Sequence, residues 1–595
     1  MKLQCALANE DYKYEHGIYR KEISMDELEI KQQTIALETA RSDWAAFQLL
    51  LKSDEDFILS LKENPVFSPA GPLENIRLQV EFTSLSGAKV IMQPVGLVED
   101  DDRRYKSDIL LENDMVNVKR LVVQPVWTEI TIPADAAPGI YKGEVLVYSH
   151  RMFENEEMIM SLQFTVEVLG VTLHPPEQNA FNLDLWLHMA NIARKHEVVL
   201  WSDSHFEILE HYVKSLAQLG QKSIMAIVSE IPWIGQRCYK NTNYLSDLFE
   251  YNMLKVKKSI SGEYSIDFFV LERYIKLCFK YGINEEIEVH GLLHIWASSC
   301  DGYGNLLDDY PDAIRVRYYD EADKCYKYMR SGKEIREYIR SIEVFFIMKG
   351  WIDKVRITAD EPGDMPIYKK CISELRQVAP LMKVKTIIGH STFLDHLEYY
   401  REENMDLVVL FDIACEKWEA VVEGRKKLNG RLSFYVCCGP DKPNTFISSP
   451  LLECRLMGIL AAFMEFDGLL RWNYTVWPEN PRERISYKYP VWKAGDTNFV
   501  YPSNNGRPLL TLRYKNLKRG IEDFELIRRV KMSCPDYKEL LGRIKDTIFR
   551  CQDWTQYPPG KKRSAEELYS LDYNDYRVAR RMLLEALISN NRKGE

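Results

Sequence analysis

Up to about residue 175 the chain alternates short apolar runs with turn residues: TIALETA, AAFQLLL, RLQVEFT, KVIMQPVGLV, then EITIPADAAPGIYKGEVLVYS and MSLQFTVEVLGVTL. Several short strands at that spacing predict a β-sandwich over 1–175. The PADAAPG stretch joins two of them, and Pro175-Pro176 stops the last strand and marks a domain boundary.

From residue 180 the rhythm changes to short apolar runs separated by longer amphipathic stretches, the pattern of repeated β/α units and a parallel sheet. Eight strands are predicted, at 182–187, 223–230, 287–294, 354–360, 384–389, 407–412, 432–438 and 468–474. Helical patterns lie between them. Two of these, SHFEILEHYVKSLAQLG and KEIREYIRSIEVFFIMKG, close on Gly220 and Gly350, where a helix C-terminus favours glycine. An eighth helix is predicted over 511–530. Count and length match a (β/α)8 barrel over 176–530, with an open doubly wound sheet as the competing topology. The remaining 531–595 reads as a C-terminal helical segment, in which PPGKK precedes a last long helix over 564–590.

Composition narrows the function classes. A net charge of −10 has the wrong sign for a protein that neutralises phosphates or anionic lipid, so neither nucleic acid nor membrane is an expected partner. No apolar run approaches the roughly 18 residues of a membrane span. Glu10 and Asp11 interrupt the start before it can supply the core of a secretory signal. The 12 cysteines show no C-x-x-C spacing, so a reducing, cytoplasmic setting is predicted. GYGNLL at 302–307 lacks the third glycine of a dinucleotide fingerprint, and no P-loop is present, so no nucleotide cofactor is expected. Aromatic content of 12% supplies the flat amphipathic rings a sugar cleft uses.

In a barrel the reactive groups sit at the C-terminal ends of the strands. Those ends carry Asp184, Trp186 and His188; Glu230, Trp233 and Gln236; His290, His294 and Trp296; Asp360 and Glu361; His390; Asp412; and Trp472, Asn473, Tyr474 and Trp477. The Asp360-Glu361 pair in VRITADEP is the candidate catalytic centre. Cleaving an acetal needs one protonated carboxyl to assist the leaving oxygen and one ionised carboxyl facing the positive charge on the sugar; like charges side by side split their own pKa values. Pro362 is expected to hold Glu361 extended. Adjacent strand residues point to opposite faces, so both carboxyls reach one substrate only if the backbone leaves strand geometry there. RWNYTVW offers stacking faces and an amide for a sugar ring, with core packing as the alternative. His188, His294 and His390 are substrate ligands or hydrogen-bonded structural residues. A metal held by His290 and His294 is not supported, because four strand residues span ~13 Å. The vicinal Cys437-Cys438 shows no pattern marking a nucleophile.

LDLWLHMANIAR, GQKSIMAIVSEIPWIGQ, TADEP, FDGLLRWNYTVWPENP, AGDTNFVYP and LRYKNLKRGIEDFE together resemble glycoside hydrolase family 123 and its C-terminal domain of formerly unknown function. That resemblance implies an exo-acting, retaining β-N-acetylgalactosaminidase in which the substrate's own 2-acetamido oxygen attacks the anomeric carbon. Asp360 would then orient the acetamido group and Glu361 would act as general acid, then base. Trp186, His188, Trp233, His294, Trp296, His390, Trp472, Asn473, Tyr474 and Trp477 would line the sugar pocket, with no metal or cofactor and an oligosaccharide or glycoconjugate as partner. The alternatives are a glycosidase of other sugar specificity and a non-catalytic carbohydrate-binding protein.

Overall fold

The computed structural model describes residues 1–17, 31–63, 71–232, 249–293, 309–482, 486, 489 and 491–594. Its N-terminal part is a sandwich of two six-stranded sheets. In the strand Trp44–Ser53 nearly every residue is buried, because this strand lies inside one sheet and is covered on both faces, whereas in the strand Glu157–Thr172 every second residue from Leu162 to Val168 is buried and those between are not. Phe47, Leu49, Leu78, Val147, Phe164 and Val166 meet between the sheets.

The sandwich strands end at Thr172, and the first barrel strand begins at Asn182. The eight barrel strands are β1 (Asn182–Leu185), β2 (Ser223–Ile227), β3 (Glu286–His290), β4 (Val355–Asp360), β5 (Lys383–Ile388), β6 (Asp406–Leu410), β7 (Leu432–Tyr435) and β8 (Gly468–Arg471). They pair in parallel in the order β1-β8-β7-β6-β5-β4-β3-β2. The seam between β1 and β2 is closed by a parallel bridge from Leu183 to Gln221, and the Gln221 side-chain amide adds bonds to Leu185 N (2.9 Å) and O (3.1 Å). The sheet is therefore a closed barrel and not the open doubly wound alternative. All eight predicted strands occur, several of them shorter than their apolar runs because the backbone leaves the ladder before the apolar residues end.

Between strands run α1 (Asp203–Leu219), α2 (Phe269–Lys280), α3 (Gly332–Met348), α4 (Met365–Val378), α5 (Leu397–Glu402), α6 (Trp418–Lys427) and α7 (Leu451–Met464); α8 (Leu512–Ser533) follows β8. Ser202 caps α1 by accepting from His205 N, and Gly220 ends it at φ 92°. A Ser331–Glu334 capping box starts α3. α8 also ties the barrel to the sandwich: buried Arg513 grips Asp108, and Arg519 grips Glu10 and Asp43. The expected single helix over 564–590 is instead two, Ala565–Leu568 and α9 (Tyr573–Gly594). Tyr569 leaves the helix to bridge Phe549, and Ser570 N donates to Ile548 O, so tertiary pairing overrides local propensity. Among the described residues, no helix is long and apolar enough to cross a membrane.

Candidate active site

A cavity of about 190 Å³ opens at the C-terminal ends of the strands. That is the scale of one sugar ring. Each wall comes from a strand end. Trp186 follows β1, Asp360 and Glu361 finish β4, Ile387 lies on β5, Tyr435, Cys437 and Cys438 come from β7, and Leu470 and Trp472 from β8; Trp492 arrives from the loop beyond.

Glu361 has φ +44°, in the left-handed region. This corrects the extended conformation expected from Pro362. The Glu361 amide donates to Ile387 O on β5 (3.1 Å), so a neighbouring strand holds the residue where its own sequence disfavours it, at a cost of order 1 kcal/mol. The gain is direction: the turn defeats strand alternation and lets both carboxyls line one cavity. Tyr435 Oη donates to Glu361 Oε1. Burial and the Glu361 charge push the Tyr435 phenol well up, so it remains a donor. Gly389 is what gives the Glu361 side chain its berth, since a Cβ there would lie 2.9 Å from Glu361 Cδ.

Burial, then the charges of Glu361 and Glu288, push the Asp360 carboxyl well above the usual range. Glu288 belongs to a charged layer inside the barrel, where Lys385 meets Asp184 (2.8 Å), Glu286 and Glu288 (3.5 Å). Asp184, Glu286 and Glu288 are close enough to form a cation-binding group, but the Lys385 ammonium already lies among them. Burial opposes its charge, yet the three carboxylates overcome that and push Lys385 up. Trp186 Nε1 donates to Glu288 Oε2 (3.1 Å) and its ring meets His290 edge-on at 4.7 Å, so the cavity floor is bolted to this layer. Burial pushes His290 down to about 3, which keeps it neutral.

Of the expected sugar-binding residues that are described, the structure brings Trp186 and Trp472 to the cavity with the acid pair. His188 is fully buried behind Trp472, with Nε2 2.7 Å from the Trp472 carbonyl, so it braces the wall and does not face a ligand. Asn473, Tyr474 and Trp477 are also fully buried; Tyr474 bonds Ser215 (2.8 Å) and Trp477 donates to Val500 O (2.7 Å), which makes them core. His390 is exposed and does not line the cavity. Trp233, His294 and Trp296 fall outside the described residues, as do Gln236 and the GYGNLL stretch. Sequence reasoning missed Tyr435, Trp492 and Gly389 as site residues. The aromatic ending the apolar run of β7 was a signal for Tyr435; nothing local pointed to Trp492.

The glycoside hydrolase 123 catalytic-domain model matches residues 186–530, more than half of the chain, and the N-terminal-domain model of the same family matches residues 92–149. The chain belongs to glycoside hydrolase family 123. This family 123 member is a glycosidase, and its acid pair lies inside the matched catalytic region. Among solved structures it is similar over 99% of its length to 98% of a family 123 glycoside hydrolase from Clostridium perfringens studied for glycolipid glycan hydrolysis, at 18% identity and TM-score 0.70, a likeness of fold. It also overlaps, over 76% of its length and 98% of the other chain, a termite-gut xylanase of family 10 with a bacterial Ig-like domain, at 10% identity and a TM-score of 0.31, too low to carry an argument. A comparison with curated protein sequences gives no match.

Proposed function

We propose that this glycosidase removes a terminal β-linked N-acetylgalactosamine, or a closely related N-acetylhexosamine, with retention of configuration and with the substrate's acetamido group as nucleophile. The observation that carries this reading is the turn at Glu361, which aims two adjacent carboxyls into one monosaccharide-sized cavity. Among the described residues lining it, Asp360 and Glu361 are the only carboxyls, and they come from one strand end. A retaining enzyme with its own nucleophile needs a second carboxylate across the sugar, about 5 Å from the acid. A substrate that supplies the nucleophile does not.

Glu361 is the general acid toward the leaving oxygen, held in place by the Tyr435 hydroxyl, and then the base toward water. Asp360 faces the acetamido group. The Asp360 carboxylate accepts from the acetamido N–H, and positive charge developing on the oxazoline ring strengthens that bond, so it stabilises the transition state more than the ground state. Trp186, Trp472 and Trp492 offer apolar faces to the C–H side of a ring; the last two stand 5.1 Å apart, centroid to centroid. The glycolipid glycan hydrolysis studied in the Clostridium perfringens relative supports a glycoconjugate as the natural source.

A panel of nitrophenyl glycosides tests the reading. Acetamido sugars are expected to turn over, and Glu361→Gln to lower kcat by about 10²- to 10⁴-fold, the range of a lost general acid–base group. Equal activity on sugars without the acetamide would rule out substrate assistance.

A further inference from the structure

The cavity holds one more pair of reactive groups that the hydrolytic reading does not use. After Tyr435 the chain leaves β7 and folds back: the Cys437 amide donates to Gly439 O (3.0 Å), while Asn444 Nδ2 donates to the carbonyls of Cys437 (3.1 Å) and Pro440 (2.6 Å). Consecutive side chains in a strand would diverge. Here they converge, with the two sulfurs 3.9 Å apart and both lining the cavity beside Glu361 and Trp472. Cys438 is exposed and Cys437 half-buried, so solvent reaches the pair.

Two chemistries compete for such a dithiol, and geometry separates them. A disulfide needs Cα atoms about 4.4–6.8 Å apart, whereas neighbours across a trans peptide are held at about 3.8 Å. Direct oxidation is therefore strained. A soft cation with metal–sulfur bonds of about 2.3 Å meets two sulfurs 3.9 Å apart at an angle of roughly 115°, near the tetrahedral value. Thiolates select such ions over hard ones.

We infer that Cys437 and Cys438 form a reversible site for a soft divalent cation of the zinc and cadmium type, and that an ion held there excludes the sugar. Two thiols bind one ion and release two protons, with no change of oxidation state. Structural zinc sites close the ion in with four protein ligands. Among the described residues the only three-residue ligand group is the one around Lys385, so water would complete the shell here and the ion would exchange. The ion and its waters would fill the part of the cavity against Glu361, making this a point of inhibition.

The test is titration of the full-length reduced protein with cadmium chloride, followed by calorimetry and, separately, by turnover of a nitrophenyl N-acetyl-β-galactosaminide. One ion per chain is expected to bind at this pair, with inhibition competitive toward sugar, reversed by a chelator, and not reproduced by magnesium. Cys437→Ser and Cys438→Ser, each compared with its own uninhibited rate, should need at least tenfold more cadmium for half-inhibition. Binding unchanged in both variants, or binding without competition, would overturn the inference. Cys438 is exposed, so its variant carries the test if the Cys437 variant does not fold. Because calorimetry needs no turnover, failure of the glycosidase reading would show as absent activity beside intact cadmium binding, and failure of the inference as the reverse.

Discussion

Replacing Gly389 with alanine tests whether the position of Glu361 in the structure is the one that matters for chemistry. Gly389 follows β5 directly, and its φ is not in the left-handed region, so alanine meets no backbone penalty. Its Cβ, however, would stand 2.9 Å from Cδ, 3.0 Å from Cγ and 3.1 Å from Oε1 of Glu361. Carbon atoms pack comfortably at about 3.5–4.0 Å, so the carboxyl must retreat by roughly 0.6–1 Å. A misplacement of about 1 Å costs on the order of 10²-fold in rate. The expected outcome is a kcat lowered about 10- to 100-fold, equivalent to about 1.4–2.7 kcal/mol of transition-state stabilisation. Steady-state turnover of the nitrophenyl substrate measures it, with thermal melting to show that the fold is intact. Gly363→Ala is the control, since its Cβ would meet only His390 Nε2 at 3.8 Å, and it should stay within about twofold of the parent. A Gly389→Ala enzyme with parental kcat would refute the reasoning, because the acid would then work from some other place.

Tyr435→Phe removes the hydroxyl donating to Glu361; a hydrogen bond is worth about 0.5–1.5 kcal/mol net, so kcat/KM should fall about 2- to 12-fold, less with leaving groups that need no protonation. Asp360→Asn should trade activity for stability. The folded-state pKa of Asp360 is raised, so its carboxyl is tolerated when protonated at low pH and costs stability as pH rises through that raised value. The melting temperature of the variant should therefore gain on the parent as pH increases and the gap should close toward pH ~4; a difference independent of pH would contradict the assignment. Lys385→Met leaves Asp184 and Glu288 buried without their cation, while Glu286 keeps Arg431 (2.9 Å), and a loss of about 3–5 kcal/mol in denaturant unfolding is expected.

Much of the architecture is legible along the chain because barrel strands are buried on both faces, so most print short apolar runs, interrupted in β3 and β5 by the residues of the charged layer. All eight appear at the predicted places, and the paired acids fall at the end of the fourth because strand ends are where apolar runs must stop. Segments beyond the strands obey no period, and there local reading fails. In RWNYTVW one aromatic, Trp472, reaches the cavity, while Asn473, Tyr474 and Trp477 turn into the core; composition is the same for either orientation. His188 ends a strand as a ligand would, yet it lies behind Trp472.

The amino-acid sequence alone determined the eight β/α units, the sandwich strands and the adjacency of two carboxyls, since each depends on periodicity or on nearest neighbours; closure of the sheet into a ring did not follow from it. Only the tertiary structure decided that the carboxyls share a target. The left-handed turn at Glu361 is held by a bond from β5, the berth at Gly389 lies at the end of that same strand, the hydroxyl of Tyr435 comes from the end of β7, and Trp492 arrives from a distant loop. Convergence of this kind is a property of how strands are placed around a ring, and no local pattern encodes it.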